Sequence, residues 1–199
     1  MGHSLGWTIA ININDIEKRK MILTKRMLSQ TFRKAKQENI EKFFVLLRRA
    51  MTTYDIDTPQ RIAHFLAQVG HESGQLQYTE EIASGREYEG REDLGNTEKG
   101  DGVRFKGRGL IQLTGRYNYQ ELADSIKLPE LMKKPEMLAE PDLACLSAAW
   151  FWNKKNLNRL ADKGNLEKIT RRINGGTNGM QSRKKLYEDA CAAIREEQS

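Results

Sequence analysis

The sequence predicts a mainly α-helical fold with a small loop or β region, and the spacing of its apolar residues is the main reason. From residue 39 onward the apolar side chains recur at helical spacing, at Ile40, Phe43, Phe44, Leu47 and Met51. A second helix has a clear start signal, with Thr58 as N-cap and Pro59 in the first helical position. Its apolar stripe consists of Ile62, Phe65, Leu66 and Val69. Further helices are predicted near residues 116–126, 141–153, 165–173 and 180–195.

Residues 84–109 separate the early helices from the later ones. This stretch holds seven glycines and many charges without a sustained period. Such a composition is typical of a long functional loop, and a short strand pair within it stays open. In the later helices, residues 143–152 are apolar nearly all round, so this helix is predicted to run through the core with Trp150 and Trp152 as core residues.

The length and the cysteine content indicate one domain without a disulfide framework. A chain of 199 residues can bury roughly 70% of its unfolded surface in a single core. Cys145 and Cys191 both fall in helix-like segments and are interpreted as small buried side chains, with one bridge between them left open. No apolar stretch is long enough to cross a membrane, and residues 1–20 lack the order of a secretory signal.

Positive charge is concentrated near the start of the chain, whose net charge is +6. Between Lys18 and Arg49 there are eleven Lys or Arg residues against two acids. This pattern predicts a solvated helical face or contact with an anionic envelope through residues 18–49. Specific nucleic acid binding is not predicted, because no recognition motif accompanies the charge. We therefore divide the chain into a basic extension, 1–38, and a single domain, 39–199; the native status and order of the first 20 residues stay open.

Glu72 is the most informative single residue. It continues the apolar stripe of the second helix by three positions and therefore points towards the buried face. Burial is expected to raise the pKa of a glutamate, which suits a general acid near neutral pH. The alternative is a glutamate at a helix end whose carboxyl group reaches solvent or a nearby arginine.

Several other classes of site are excluded by residues that are missing. A metalloprotease motif beginning at His71 and Glu72 would need a second histidine where the chain has Gln75. The histidines and cysteines have no spacing typical of a metal site. The Gly107–Gly109 turn lacks the third glycine of a dinucleotide loop, and no nucleophile elbow occurs. We expect neither a metal nor an organic cofactor.

Three ordered motifs carry a family resemblance: His71-Glu72-Ser73-Gly74, the segment FKGRGLIQLTG of residues 105–115 followed by Asn118-Tyr119, and Ile173-Asn174-Gly175-Gly176. Together they resemble glycoside hydrolase family 19 over about residues 40–195, and look closer to its phage and prophage endolysins than to plant chitinases. The resemblance implies a lysozyme-like, two-lobed helical fold with a small loop or β region beside a cleft for β-1,4-linked N-acetylated sugars.

The resemblance also implies roles for individual residues. Glu72 matches the catalytic acid, and Thr114 matches the hydroxyl residue that helps to hold the attacking water. The second carboxylate is sought among Glu80, Glu81, Glu87 and Glu89, and the endolysin spacing of nine positions favours Glu81. Gln112, Asn118 and Asn174 match positions that line the sugar cleft, and Arg183 matches a family arginine near the C-terminal helix. Further candidates for contacting the sugar are His71 and, in place of the core residues Trp150 and Trp152, the tyrosines Tyr78, Tyr88 and Tyr117.

The resulting hypothesis is a monomeric endolysin of the muramidase type. It would cut the β-1,4 bonds of bacterial peptidoglycan by an inverting mechanism with two carboxylates. It would be made in a host bacterial cytoplasm and act on the periplasmic cell wall after another protein opens the membrane. Two alternatives stay open, a chitinase and a wall-binding module without turnover. Peptidoglycan is preferred because plant chitinases of the family carry several disulfides and longer loops, which this chain lacks.

Overall fold

The computed structural model describes residues 21–199, so the expectations for residues 1–20 lie outside the described residues. Over this range the chain is mainly helical, which confirms the predicted fold class. Ten α-helices occur in the described range: α1 (Lys25–Thr31), α2 (Gln37–Thr53), α3 (Pro59–Glu72), α4 (Asp101–Arg104), α5 (Arg116–Ser125), α6 (Glu130–Lys133), α7 (Pro141–Lys154), α8 (Asn158–Ala161), α9 (Leu166–Asn174) and α10 (Met180–Gln198). Three 3₁₀ helices are also present: Arg86–Tyr88, Glu92–Leu94 and Pro135–Ala139.

The predicted helix start at Thr58 is confirmed by its cap. The Thr58 side chain accepts a hydrogen bond from the Arg61 backbone N–H, and Pro59 takes the first helical position, where no N–H is needed. The six longer helices match the predicted periodic segments to within a few residues. The short helices α1, α4, α6 and α8 were not predicted.

Helix α3 lies at the centre of the core. Every residue from Ile62 to Gly70 is buried, and the helix packs against α10 along its length. Its Phe65 ring meets the ring of Trp152 edge to face, with centroids 5.4 Å apart. Trp150 and Trp152 of α7 are both buried, as the all-round apolar pattern predicts. The burial of α3 fixes the direction of its last residue, Glu72.

Residues 21–38, predicted to be a basic extension, contribute buried side chains to the same core as residues 39–199. Four apolar side chains of this segment are at most 2% exposed: Leu23, Met27, Leu28 and Phe32. Helix α1 packs against α10, and the Phe32 ring lies under Gly70 of α3. In residues 21–38 the apolar residues are interleaved with charged ones, so the apolar face is hard to recognise in the sequence.

Much of the positive charge in this segment lies in ion pairs. Lys25 pairs with Glu41, Arg26 with Glu196 at 3.0 Å, and Arg33 with Asp189 at 3.6 Å. These pairs join α1 and its neighbours to α2 and α10. The expected contact with an anionic envelope would therefore fall mainly to the cations on α2, such as Lys42 and Arg49, which have no ion-pair partner within residues 21–199.

A small β-like region replaces the strand pair that the sequence left open. Arg108 forms antiparallel bridges with both Glu80 and Leu113. The Glu81 N–H donates to the Gly107 carbonyl at 3.0 Å, and the Gly109 N–H donates to the Thr79 carbonyl at 2.8 Å. These bonds hold residues 79–81 beside residues 107–109.

Both cysteines are free, Cys145 buried and Cys191 half-buried, so the bridge left open in the sequence is not formed. Within residues 21–199 no helix is both long and apolar enough to span a bilayer.

We predict that Leu28→Ala lowers the free energy of unfolding by about 2–5 kcal/mol, because it leaves a cavity in the shared core. Urea denaturation followed by circular dichroism measures the change. Ile22→Ala, at a side chain that is 61% exposed, is the control and should change stability little. A loss below about 0.5 kcal/mol for Leu28→Ala, the range of surface substitutions, would show that residues 21–38 are a separable extension.

Candidate active site

Glu72 is the last residue of α3, and its side chain is mostly sheltered, with 19% exposed. Its Oε1 accepts a hydrogen bond from Nη2 of Arg183 on α10 at 2.5 Å. The carboxyl group therefore points inward, as the apolar stripe predicts. Its neighbour is a guanidinium and not an apolar pocket, so the nearby arginine that the sequence left as an alternative is present.

Arg183 is itself buried, with 1% exposed. Besides Glu72 it binds Gln68, whose Oε1 accepts from Nη1 at 2.5 Å, and the Asn178 carbonyl, which accepts from Nε at 3.4 Å. Gln68 is fully buried and donates in turn to the Thr170 hydroxyl at 3.2 Å. We call Gln68, Glu72 and Arg183 the Glu72 cluster. It connects α3 to α10, and Thr170 extends it to α9.

Gln68 was missed in the sequence, although a signal for it exists. It lies four positions before Glu72 and therefore on the same face of α3. A polar side chain on the buried face of a helix needs a partner, and here Arg183 and Thr170 are those partners.

Glu81 is held at both carboxylate oxygens. Oε1 accepts from the Gly107 backbone N–H at 2.8 Å, and Oε2 accepts from the Tyr88 hydroxyl at 3.0 Å. Burial, reinforced by the hydrogen bond to Glu81, raises the pKa of Tyr88 to about 12. The hydroxyl therefore keeps its proton, and acts as a donor, throughout the neutral range.

Two of the other candidate carboxylates have structural partners. Glu80 binds Arg108 at 2.9 Å and Lys106 at 3.2 Å. Burial alone would raise the pKa of Glu80, but the hydrogen bonds and charges of these two cations outweigh it and hold the pKa below its usual value. Glu89 accepts from the backbone N–H groups of Gly100 and Gly102, which lowers its pKa. Glu87 is exposed.

Thr114 and Gln112 converge with Glu81 on the backbone of Gly107. A Cβ placed on Gly107 would lie 3.3 Å from Cδ of Glu81, 3.3 Å from Oγ1 of Thr114 and 3.2 Å from Oε1 of Gln112. The Thr114 hydroxyl donates to the Gln112 carbonyl at 3.0 Å, which leaves its oxygen lone pairs as acceptors. We call Glu81, Gly107, Gln112 and Thr114 the Glu81 cluster.

Gln112 has a left-handed backbone, with φ 54°. Its side-chain amide donates to the Gly109 carbonyl at 3.0 Å. The turn formed by residues 109–112 thus directs the Gln112 side chain back towards the Glu81 cluster.

Asn118 lies on the first turns of α5, next to this cluster. Its Nδ2 donates to the Thr114 carbonyl at 2.8 Å, and its Oδ1 accepts from Nζ of Lys154 at 3.1 Å. Lys154 also contacts Glu121 and lies over the Trp150 ring. Lys154 was not predicted from the sequence, because only the tertiary fold brings the end of α7 to Asn118.

The other predicted residues are more dispersed. The His71 ring lies against Gly179, so close that a Cβ there would be 2.2 Å from the ring, and burial followed by the charge of Arg183 lowers the pKa of His71. Tyr117 covers Gly95 and is 60% exposed. Asn174 ends α9 and is exposed. Within residues 21–199 none of these three side chains hydrogen-bonds to the Glu81 cluster.

The close approach at Gly107 leads to a prediction. Gly107→Ala should lower activity about 10- to 100-fold, because the added methyl group must displace the Glu81 carboxylate or the Thr114 hydroxyl by a few tenths of an ångström. Gly176→Ala, whose Cβ meets open space, is the control for stability. Melting temperatures and initial rates are compared. Full activity for Gly107→Ala would show that these side chains need no fixed geometry.

The fold resembles solved chitinases. Chitinase C from Streptomyces griseus superposes with a TM-score of 0.72 at 21% identity, covering 89% of this chain and 94% of that one. The class IV chitinase of Zea mays superposes with a TM-score of 0.67 at 24% identity, covering 87% and 92%. At these identities the likeness shows the fold alone, and it agrees with the fold that the resemblance implied.

Sequence relatives agree with the structural likeness. A glycosyl hydrolase family 19 domain-containing protein of Haemophilus influenzae is 34% identical, covering 63% of this chain and 76% of that one. An endochitinase of Arabidopsis thaliana is 40% identical over 76% of this chain, which spans only 54% of the plant protein. The family model described as chitinase class I matches residues 44–164, more than half of the chain. The chain therefore belongs to glycoside hydrolase family 19.

Proposed function

We propose that the chain hydrolyses β-1,4 bonds of an amino-sugar polymer, with Glu72 as general acid and Glu81 as general base. The observation that supports this most directly is that each carboxylate is held by hydrogen bonds on a separate element. Glu72 is fixed by Arg183 at the end of α3, and Glu81 by Gly107 and Tyr88 in the β-like region. Fixed carboxylates on separate elements suit a reaction that needs one on each face of a sugar.

The reaction follows from these positions. Arg183 occupies Oε1 of Glu72, so we assign proton transfer to Oε2, which gives its proton to the glycosidic oxygen as the C1–O bond breaks. A water molecule attacks C1 from the opposite face and loses its proton to Glu81. The lone pairs of the Thr114 hydroxyl orient that water. The product has the inverted configuration at C1. This chemistry requires neither a metal nor an organic cofactor.

For the substrate we propose bacterial peptidoglycan, cut between N-acetylmuramic acid and N-acetylglucosamine by a monomeric, endolysin-type enzyme. The net charge of +6 supports this choice, because peptidoglycan carries carboxylates on its stem peptides whereas chitin is neutral. The two free cysteines are compatible with synthesis in a reducing bacterial cytoplasm before the enzyme reaches the periplasmic wall.

Chitin is the second candidate substrate. Its support is the set of plant relatives described as endochitinases, including the Arabidopsis protein. The shared reaction would use the same two carboxylates, so the residues of the Glu72 and Glu81 clusters do not separate the two substrates.

We predict that Glu72→Gln and Glu81→Gln each lower kcat by about 10²–10⁴-fold, the usual contribution of a general acid or base. Glu87→Gln is the matched control, because it makes the same change at an exposed carboxylate in the adjoining loop. Rates are measured on purified peptidoglycan and on glycol chitin, with circular dichroism to confirm folding. A fully active Glu81→Gln together with an inactive Glu87→Gln would mean that the base is Glu87. Absence of turnover in the unsubstituted protein on both polymers would favour a wall-binding module.

A separate measurement identifies the polymer. We expect faster release of fragments from peptidoglycan than from chitin, and mass spectrometry should show new reducing ends at N-acetylmuramic acid. Raising the salt concentration from about 50 to about 200 mM should slow the reaction on peptidoglycan more than on neutral oligosaccharides, because salt screens the attraction between exposed charges. Cleavage of chitin with little action on peptidoglycan would select the second candidate.

A further inference from the structure

Tyr88 has a structural setting that differs from that of the other tyrosines near the site. Its hydroxyl donates to Oε2 of Glu81 at 3.0 Å, and its side chain is half-buried. Tyr78 and Tyr117 are 46% and 60% exposed, and neither hydroxyl bonds to a protein group within residues 21–199. Of the three tyrosines, only Tyr88 has its polar atom engaged by a proposed catalytic group.

The backbone around Tyr88 is held independently of any sugar. Tyr88 ends the 3₁₀ helix that begins at Arg86, and its carbonyl accepts from Nδ2 of Asn96 at 2.9 Å. Asn96 is fully buried, and its Oδ1 accepts from the Arg116 N–H, at the start of α5, at 2.8 Å. The Tyr88 backbone is thus tied to the start of α5 through a buried amide, and the Tyr88 hydroxyl extends from this fixed backbone to Glu81.

The Glu81 carboxylate has two hydrogen-bond donors, one on each oxygen. Gly107 binds Oε1 and Tyr88 binds Oε2, so rotation of the carboxylate about its terminal bond would break both hydrogen bonds. A carboxylate has about four acceptor positions, so each oxygen keeps a lone pair for a water molecule. With only one donor, the plane of the carboxylate would be free to turn.

We propose that Tyr88 is a positioning residue for Glu81 and not a sugar-contacting residue: its hydroxyl fixes the plane of the carboxylate so that a free lone pair faces the attacking water. This inference rests on the proposed function, specifically on Glu81 as the base. It replaces the sugar contact that the sequence suggested for Tyr88.

Other charged groups surround this pair and must stay unchanged in the test. Lys106 donates from Nζ to the Glu81 carbonyl at 3.1 Å. Glu87 and Arg91 act on Tyr88 through their charges, and the negative charge of Glu81 helps to keep the proton on the Tyr119 hydroxyl. Replacing Tyr88 by phenylalanine leaves all four in place and removes only the hydroxyl.

The test is Tyr88→Phe in the full chain, assayed with whichever polymer the unsubstituted enzyme degrades. We expect kcat to fall about 10- to 100-fold, the usual effect of losing a hydrogen bond to a charged group, with KM changed less than about two-fold. The acidic limb of the pH–rate profile should move to higher pH, because the ionised carboxylate loses a donor that favours it. Tyr54→Phe, at the end of α2, is the control and should change none of these values.

A double substitution separates positioning from other roles. If Tyr88 acts only through Glu81, Glu81→Gln/Tyr88→Phe should lose no more activity than Glu81→Gln alone. An increase in KM with kcat retained would show that Tyr88 contacts sugar and would overturn the proposal. Unchanged kcat, KM and pH profile in Tyr88→Phe, with Glu81→Gln inactive, would also overturn it while leaving the proposed function intact. A fully active Glu81→Gln would instead remove the base assignment on which both depend.

Discussion

The buried guanidinium of Arg183 is the constraint on which both the fold and the site depend. A cation that is 1% exposed must have its charge and its N–H groups satisfied by the protein, and Glu72, Gln68 and the Asn178 carbonyl provide this. Removing one partner of a buried ion pair typically costs about 3–5 kcal/mol, because the other charge is left uncompensated. Glu72 therefore stabilises the contact between α3 and α10 as well as presenting a carboxyl group. Stability and activity are linked at this point, so effects of Glu72 variants on the two must be measured separately.

The two clusters differ in the kind of structure that positions their side chains. The Glu72 cluster is built on two long helices whose buried faces set the directions of its side chains. The Glu81 cluster is built from short backbone bonds between residues 79–81, 107–109 and 113, with little regular structure around it. Its precision therefore comes from individual hydrogen bonds, including those of Asn96 and Tyr88. A single lost bond in this region is expected to disturb geometry more than a single lost contact along α3 would.

Local patterns in the sequence predicted the parts of the fold that repeat over several turns. Helices α2, α3, α5, α7, α9 and α10 all have an apolar period, and Thr58 and Pro59 also marked a boundary. Helix α1 was assigned to a basic extension, because seven residues are too few for a clear period and Lys25 and Arg26 precede the buried Met27 and Leu28. The four-residue helices α4, α6 and α8 are too short to produce any period. Their formation depends on tertiary contacts, which a local sequence pattern does not show.

In the candidate site, too, some features follow from the sequence, whereas others depend on residues far apart in the chain. The inward direction of Glu72 follows from its place on the stripe of α3, and Glu81 was selected by the spacing that the family resemblance implied. The pairing of Glu72 with Arg183 joins residues more than a hundred positions apart, so periodicity could not reveal it. The position of the Tyr88 backbone likewise depends on Asn96 and the start of α5.

The left-handed backbone of Gln112 is unfavourable for a residue with a side chain and costs about 1–3 kcal/mol that glycine would not. Substituting glycine there would relieve this backbone cost, but it would delete the amide beside the Glu81 carboxylate and its hydrogen bond to the Gly109 carbonyl. Residue 112 therefore adopts an unfavourable backbone conformation, and in return the site contains a side-chain amide that glycine lacks.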